Sequence, residues 1–266
     1  MATRGFLHEL RYALRNTALR RFDNGTDLRF ETVSDTRIRL SIFECVVVEF
    51  ELVHGRYVIV EVIGVMYFAN NAERIRCRQE LGLNGSTSMV LIKDLAFACL
   101  YHFGHTVFIV LEDDSKLRFL VEEAVGPEGS DEDEEPDDDD VIEISFSTLK
   151  LLADGISWYN RQGFITARPE NEYPVPDSNM EEYEKRNLHV LRSLPSPLNT
   201  DLTVAEQARI FLDGLRTLVD TTPLQQDQMQ FVLGVKHWVE SIEEHPLFRY
   251  SGRLSMQLTL APRINL

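Results

Sequence analysis

The chain has 266 residues, 43 of them acidic and 27 basic, for a formal net charge of −16 and a pI near 4.9. Phosphate groups are neutralised by clustered Lys and Arg, so this balance argues against a nucleic-acid binder and leaves only a local basic patch able to contact DNA, RNA or an anionic membrane. A composition that is 44% hydrophobic and 9% aromatic excludes a disordered chain and suffices for one large core or two modest ones.

The acidity is uneven. Ten carboxylates lie between Glu128 and Asp140 with no cation among them, so the rest of the chain nets only −6. No stretch approaches the roughly 20 consecutive apolar residues that span a bilayer, and charges are scattered through Met1 to Phe22 where a signal peptide would be apolar. The three cysteines, Cys45, Cys77 and Cys99, are odd in number and lack the short paired spacing of a zinc site. They predict a reduced, intracellular protein, in the cytoplasm or the nucleus, without metal.

In chain order, Phe6, Leu10, Leu14 and Ala18 recur every four residues and predict an amphipathic helix over 6–22 with arginines on its other positions. Residues 36–68 are rich in Val, Ile and Phe, and the turn candidate His54-Gly55 divides them into two long antiparallel strands, 38–53 and 56–68. Glu44, Glu49, Glu51 and Glu61 interrupt the apolar run, so one face of this sheet meets water or a cleft. Ser86, Thr87 and Ser88 offer capping hydroxyls to an apolar helix over 89–103, Gly104 stops it, and Thr106 to Leu111 reads as a buried strand. A helix followed by such a strand implies a crossover packed on a sheet.

The Gly, Pro, Ser, Asp and Glu of 126–140 bury too little apolar area to offset ordering entropy, which predicts a disordered acidic insertion within a domain. Glu112, Asp113 and Asp114 read as strand-end residues, with Ser115 capping a short helix. Helical pattern resumes at Ser145, and Gly163 to Ala167 reads as a strand. Prolines 169, 174 and 176 form a connector, helices follow over 180–194, 203–219 and from 222 or 223 to 244, and Arg253 to Leu260 alternates as a terminal strand. Thr203 and Glu206 have capping-box spacing. The predicted division is a first domain over 1–168 and a helical extension over 169–266.

Two segments invite a chemical reading. Gln79-Glu80-Leu81-Gly82-Leu83-Asn84-Gly85 opens the helix at 89–103, where unsatisfied N–H groups and the positive helix end attract anions and glycine allows close backbone approach. Trp158-Tyr159-Asn160-Arg161-Gln162-Gly163-Phe164 joins a helix to a strand. Structurally, the first is also compatible with a simple turn and the second with a glycine-capped helix end.

In order and spacing these pieces resemble the GCN5-related N-acetyltransferase superfamily over residues 36–168. There a Gln/Arg-x-x-Gly-x-Gly/Ala loop leads into a helix and holds the acyl-CoA pyrophosphate, and a Tyr-x-x-x-Gly-Phe segment supplies a tyrosine beside the CoA sulfur. Asn84 stands where the family prefers Gly or Ala, and Gly85 comes one residue later. Leu111-Glu112-Asp113-Asp114-Ser115 with Gly155-Ile156-Ser157-Trp158-Tyr159 looks like divergent members from large DNA viruses and protists.

The resemblance implies an α/β (α+β) fold with a mixed, mostly antiparallel sheet flanked by helices and a helical C-terminal extension. It implies acetyl-CoA as co-substrate, held by Gln79, Gly82, Asn84, Gly85, Ser86 and Thr87, and acyl transfer to an amine by direct attack. Tyr159 would be the acid, Glu61 the first choice of base, with Glu49 or Glu51 behind it, and a backbone N–H within Val65 to Ala69 would polarise the thioester. A cationic amine or a basic protein is the expected acceptor. The competing expectation is a catalytically silent scaffold, a viral structural component or a protein-interaction module built on the C-terminal helices.

Overall fold

The computed structural model describes residues 2–19, 28–43, 45–65, 77–79, 81–120, 141–168, 174–218 and 224–259. The chain forms two compact units. The first comprises Met1–Glu112, Ala167–Pro176 and Arg253–Leu266, and the second Asp113–Thr166 and Asp177–Gly252. The protein is mixed α/β, with a mostly antiparallel sheet flanked by helices.

In the first unit, α1 (Ala2–Leu19) precedes β1 (Leu28–Thr32), β2 (Arg37–Ile42), β3 (Val46–Val53) and β4 (Tyr57–Val65), which pair antiparallel in sequence order. Helix α2 (Gly85–Phe103) then carries the chain to β5 (Thr106–Glu112), parallel to β4. The C-terminal β9 (Arg253–Leu258) pairs antiparallel with β5, so the sheet runs β1–β2–β3–β4–β5–β9. The predicted crossover is present.

Register places Ile38, Leu40, Ile42, Val48, Phe50, Val60 and Ile109 on one face, all fully buried. Helix α2 packs on β4 and β5 through residues at helical spacing, Met89, Ile92, Leu95 and Cys99 among them, and α1 packs on α2 with Leu10, Leu14 and Ala18 buried. Burial of this apolar stripe, at roughly 25 cal/mol per Å² removed from water, is what holds the helices to the sheet. The opposite face carries the charged residues of β1 to β4.

Three expectations change in this unit. The predicted strand 38–53 is two strands, because the chain turns at Phe43, whose φ is 50°, with the Cys45 N–H closing on Ile42 O at 2.9 Å. Phe43-Glu44 lacks the Gly, Asn, Asp or Pro that marks such turns. The His54-Gly55 turn has both signals and is present, with φ of 49° and 65°. Strand β1 was not predicted. Finally, Cys45 and Cys77 form a disulfide with Cα atoms 6.0 Å apart, where three reduced thiols were expected. Cys99 remains a free, buried thiol.

The second unit begins with β6 (Lys116–Leu120) and β7 (Val141–Ser145), an antiparallel pair on either side of the acidic insertion. Ser115 therefore does not cap a helix. Its hydroxyl donates to Asp113 Oδ1 at 3.1 Å, and the strand follows directly. The insertion itself, 126–140, lies outside the described residues.

Helix α3 (Phe146–Asp154) is capped by Ser145 and ends at Gly155 with φ 78°, so the predicted helix splits before α4 (Trp158–Arg161) and the two-residue β8 (Ile165–Thr166). Then come α5 (Ser178–Ser193), α6 (Val204–Arg216) and α7 (Gln226–Glu243).

Phe119, Ile142, Ile144, Leu149 and Leu152 share one core with Phe211, Leu215, Val235, Trp238 and Ile242. Residues 113–166 thus pack with the C-terminal helices, and the units interleave where the sequence reading placed a single boundary at residue 168. Apolar alternation in Val141-Ile142-Glu143-Ile144 shows that a strand has a buried face but not which core buries it. At the end of α3, Arg192 donates from Nε to Leu152 O at 2.6 Å and from a terminal nitrogen to Ala153 O at 2.8 Å, satisfying carbonyls that the helix leaves open.

Candidate functional site

The candidate ligand site of the first unit is set by how β4, α2 and β5 are joined. Strands β4 and β5 pair in parallel from Tyr57 opposite Thr106 to Val62 opposite Leu111. Beyond Val62, β4 continues to Val65 along β3 alone. There the register slips: Val48 faces Val62 but Val47 faces Gly64, which leaves Ile63 as an extra residue on β4. Such a bulge bends a strand and releases its pairing. Because α2 connects the end of one parallel strand to the start of the next, it runs back against both, and its first turn lies at their carboxyl ends. Open sheets of this kind bind ligands there.

The cap of α2 is closed by neutral groups. Asn84 is the N-cap: the Thr87 N–H donates to its Oδ1 at 3.0 Å, while the Asn84 N–H donates to Thr87 Oγ1 at 2.7 Å. The Thr87 hydroxyl donates to Gly82 O at 2.8 Å, and the Leu83 N–H donates to Cys77 O at 2.9 Å. Gly82 has φ 60° and open space where a Cβ would stand.

Of the predicted cofactor-binding residues, Asn84 and Thr87 therefore spend their side chains on the cap. Gln79, Gly82, Gly85 and Ser86 are exposed. At the first two helical positions, the N–H groups of Gly85 and Ser86 have no intrahelical acceptor, and no acidic side chain occupies the first turn. Two outward N–H groups at the positive end of a nineteen-residue helix suit a phosphate. The predicted helix began at residue 89. It begins at 85 because Asn84, not one of the serines, makes the cap.

Charged residues on the open face of the sheet sort the three candidate bases. Glu49 is 4% exposed and accepts from Arg37 at 3.0 Å and from Arg39 at 2.6 and 2.9 Å. Glu51 accepts from Arg37 at 2.6 Å, and this bond holds the Arg37 guanidinium above its ordinary value. Glu61 stands directly opposite Glu49 in the register and makes no ion pair of its own among the described residues. Like charges across a ladder repel. The two arginines neutralise Glu49, and Glu61, half-buried two residues before the bulge, feels the charge of Arg37 without forming an ion pair with it.

Tyr159 belongs to the second unit. It sits in the single turn of α4, edge-on to Trp158 with ring centroids at 4.9 Å and to Phe164 at 6.2 Å. Gly163 has φ 91°, and the Phe164 N–H returns to Tyr159 O at 3.2 Å. Burial, with the negative charge of Asp113 second, pushes the phenol up to about 12. The Tyr159 hydroxyl has no hydrogen-bond partner among the described residues.

Asp113 accepts from Tyr250 at 2.9 Å and from Ser115 at 3.1 Å, and burial pushes its carboxyl upward. The Asp113–Tyr250 pair, 137 residues apart in sequence, carries no signal that sequence reasoning finds. A cleft nearby in this unit, bordered by Glu181, Glu184, Lys185 and Tyr250, has room for about one ordered water.

The structure thus brings Glu61 and the Gln79–Thr87 segment together in one unit and places Tyr159 in the other. Of the predicted thioester-polarising segment only Val65 lies within the described residues. Among the described residues no group of three or more His, Cys, Asp or Glu could hold a metal ion, and no helix is long and apolar enough to cross a membrane. No protein-family model matches the chain, and neither does any curated protein or solved structure.

Proposed function

We propose that the protein is an acyl-CoA-dependent N-acyltransferase of the GCN5-related type, with acetyl-CoA as donor. The observation that carries this reading is the β4–α2–β5 crossover, in which β4 leaves β5 at a bulge and the acid-free N-terminus of α2 lies at the strands' carboxyl ends. In this reading the Gly85 and Ser86 amides bind the pyrophosphate, and a β4 backbone N–H past the bulge polarises the thioester carbonyl. Glu61 takes a proton from the acceptor ammonium. The free amine attacks the carbonyl carbon, the carbon–sulfur bond breaks, and the departing thiolate takes a proton from solvent. Glu61 and the acidic tract favour a cationic acceptor, such as a lysine side chain or a basic protein tail.

One substitution tests the chemistry. Glu61→Gln is expected to lower kcat by about 100-fold or more with the acceptor KM less affected. Unchanged turnover in the variant removes Glu61 from the mechanism.

One observation favours a second reading, a binding scaffold without catalysis. Asn84 and Thr87 are both committed to the helix cap, leaving fewer groups for the cofactor than the family motif provides. Calorimetric heats that stay at baseline up to millimolar acetyl-CoA, with no transfer to any amine across a panel of polyamines and lysine peptides, would support it.

A further inference from the structure

We propose that Cys45 and Cys77 are a reversible dithiol–disulfide pair whose state controls the Cys77–Asn84 segment and, through it, the N-terminus of α2. The second step, an effect on ligand binding, rests on the acyl-CoA reading; the first does not.

The placement carries the proposal. Cys45 closes the β2–β3 turn, with its N–H on Ile42 O, and Cys77 opens the short segment that ends at the α2 cap. Arg78, Gln79, Gly82 and Asn84 are exposed, and among the described residues the segment is held by the Leu83 side chain, 1% exposed, by a backbone bond from Leu83 to Cys77, and by Thr87, whose hydroxyl donates to Gly82 O and whose cap bonds hold Asn84. The disulfide ties Cys77, the acceptor of the Leu83 bond, to the sheet. With the bridge open, that tie to the sheet is lost, and among the described residues the Leu83 side chain and the Thr87 bonds at the helix cap remain to position Asn84.

The chain's cysteine usage fits a switch better than a structural staple. A secreted domain that depends on disulfides carries several. Here there is one bridge in 266 residues, and the third thiol, Cys99, is buried in α2, where desolvation holds it protonated and unreactive.

The exchange balances with a glutathione-class thiol as reductant. One thiolate attacks a sulfur of the bridge, the Cys45–Cys77 bond breaks as a mixed disulfide forms, and the displaced sulfur leaves as a thiolate that takes a proton. A second thiol then resolves the mixed disulfide, so two electrons and two protons reach the protein and one disulfide of the small thiol is released. Both cysteines are 1% exposed, so attack requires the segment to open first. By linkage, a ligand that holds the segment closed protects the bridge to the same degree that the bridge favours the ligand.

The test uses the full chain equilibrated at graded ratios of reduced to oxidised glutathione. Alkylation followed by intact mass counts the thiols, amide hydrogen exchange follows Gly82 to Ser88, and calorimetry follows acetyl-CoA. The expected result is two additional alkylations on reduction, at least tenfold faster exchange at the bonded amides of Leu83, Asn84, Thr87 and Ser88 with the sheet amides unchanged, and at least fivefold weaker acetyl-CoA binding. A Cys45→Ala/Cys77→Ala variant should exchange like the reduced protein at every ratio. If it does not fold, the wild-type comparison still decides. Absence of the bridge at every ratio, or unchanged exchange across Gly82 to Ser88, overturns the proposal. Faster exchange without acetyl-CoA binding in either state upholds the switch and removes the acyl-CoA reading instead.

Discussion

Helices α2 and α6 open with the same device and differ in charge. Both have a capping box. At α6, Thr203 Oγ1 accepts from the Glu206 N–H at 3.2 Å, and the Glu206 carboxylate returns to the Thr203 N–H and hydroxyl, both at 2.8 Å. The carboxylate satisfies the orphan donor and also neutralises the positive helix end, and those hydrogen bonds hold Glu206 below its ordinary value. At α2 the third position is Thr87, so the cap is complete in hydrogen bonds while the helix end keeps its field. A cap built only for stability gains from a carboxylate. The neutral cap of α2, with exposed Gly85 and Ser86 behind it, leaves room for a ligand's negative charge.

The comparison breaks most sharply if α2 is given the cap of α6. Thr87→Glu is expected to keep the fold, because the carboxylate accepts from the Asn84 N–H although it cannot donate to Gly82 O as Thr87 does, and to weaken acetyl-CoA binding at least about tenfold, because the new carboxylate occupies the terminus. Calorimetry of the variant checks this. A smaller effect is expected of Asn84→Ala, which removes the α2 N-cap acceptor and costs about 1 kcal/mol in urea unfolding.

The smallest and most discriminating effect is in pH. The Glu206 pKa is lowered by folding, so its contribution is complete above the ordinary carboxylate range, near pH 4.3, and disappears as pH falls through the folded value. Melting curves should show Glu206→Thr slightly less stable than wild type at pH 7 and equal to it under stronger acid. The cost of Asn84→Ala should not change over that range, since neither Asn84 nor Thr87 titrates.

Both caps were legible in the sequence to different degrees, and for a physical reason. Thr203 and Glu206 have the side chains that define a capping box, and the box is found. At α2, three consecutive hydroxyls drew the cap to Ser86–Ser88, whereas Asn84, the better acceptor, makes it. Local rules also found α1, the β4-to-β5 crossover and the His54-Gly55 turn, because each is encoded within a few residues.

What they missed depends on partners far along the chain. Strand β7 resembles any half-buried strand, and only packing assigns it to the core of Phe211 and Trp238. Cys45 and Cys77 are 32 residues apart and become neighbours only when the β2–β3 turn forms, at Phe43, a residue with no turn signature. For the candidate site, the loop and Glu61 could be nominated from sequence. That Glu49 and Glu51 are already neutralised by Arg37 and Arg39 depends on strand register, which a one-residue slip would reverse.

The central claim is that the neutral terminus of α2 is a binding site for the phosphates of acyl-CoA. Titrating the oxidised wild-type protein and Thr87→Glu with acetyl-CoA in parallel tests it most directly. The account predicts saturable one-to-one binding to the wild type at sub-millimolar concentration and a loss of at least about tenfold in the variant. Heats that remain at baseline up to millimolar acetyl-CoA, or equal affinity in the two proteins, would contradict it.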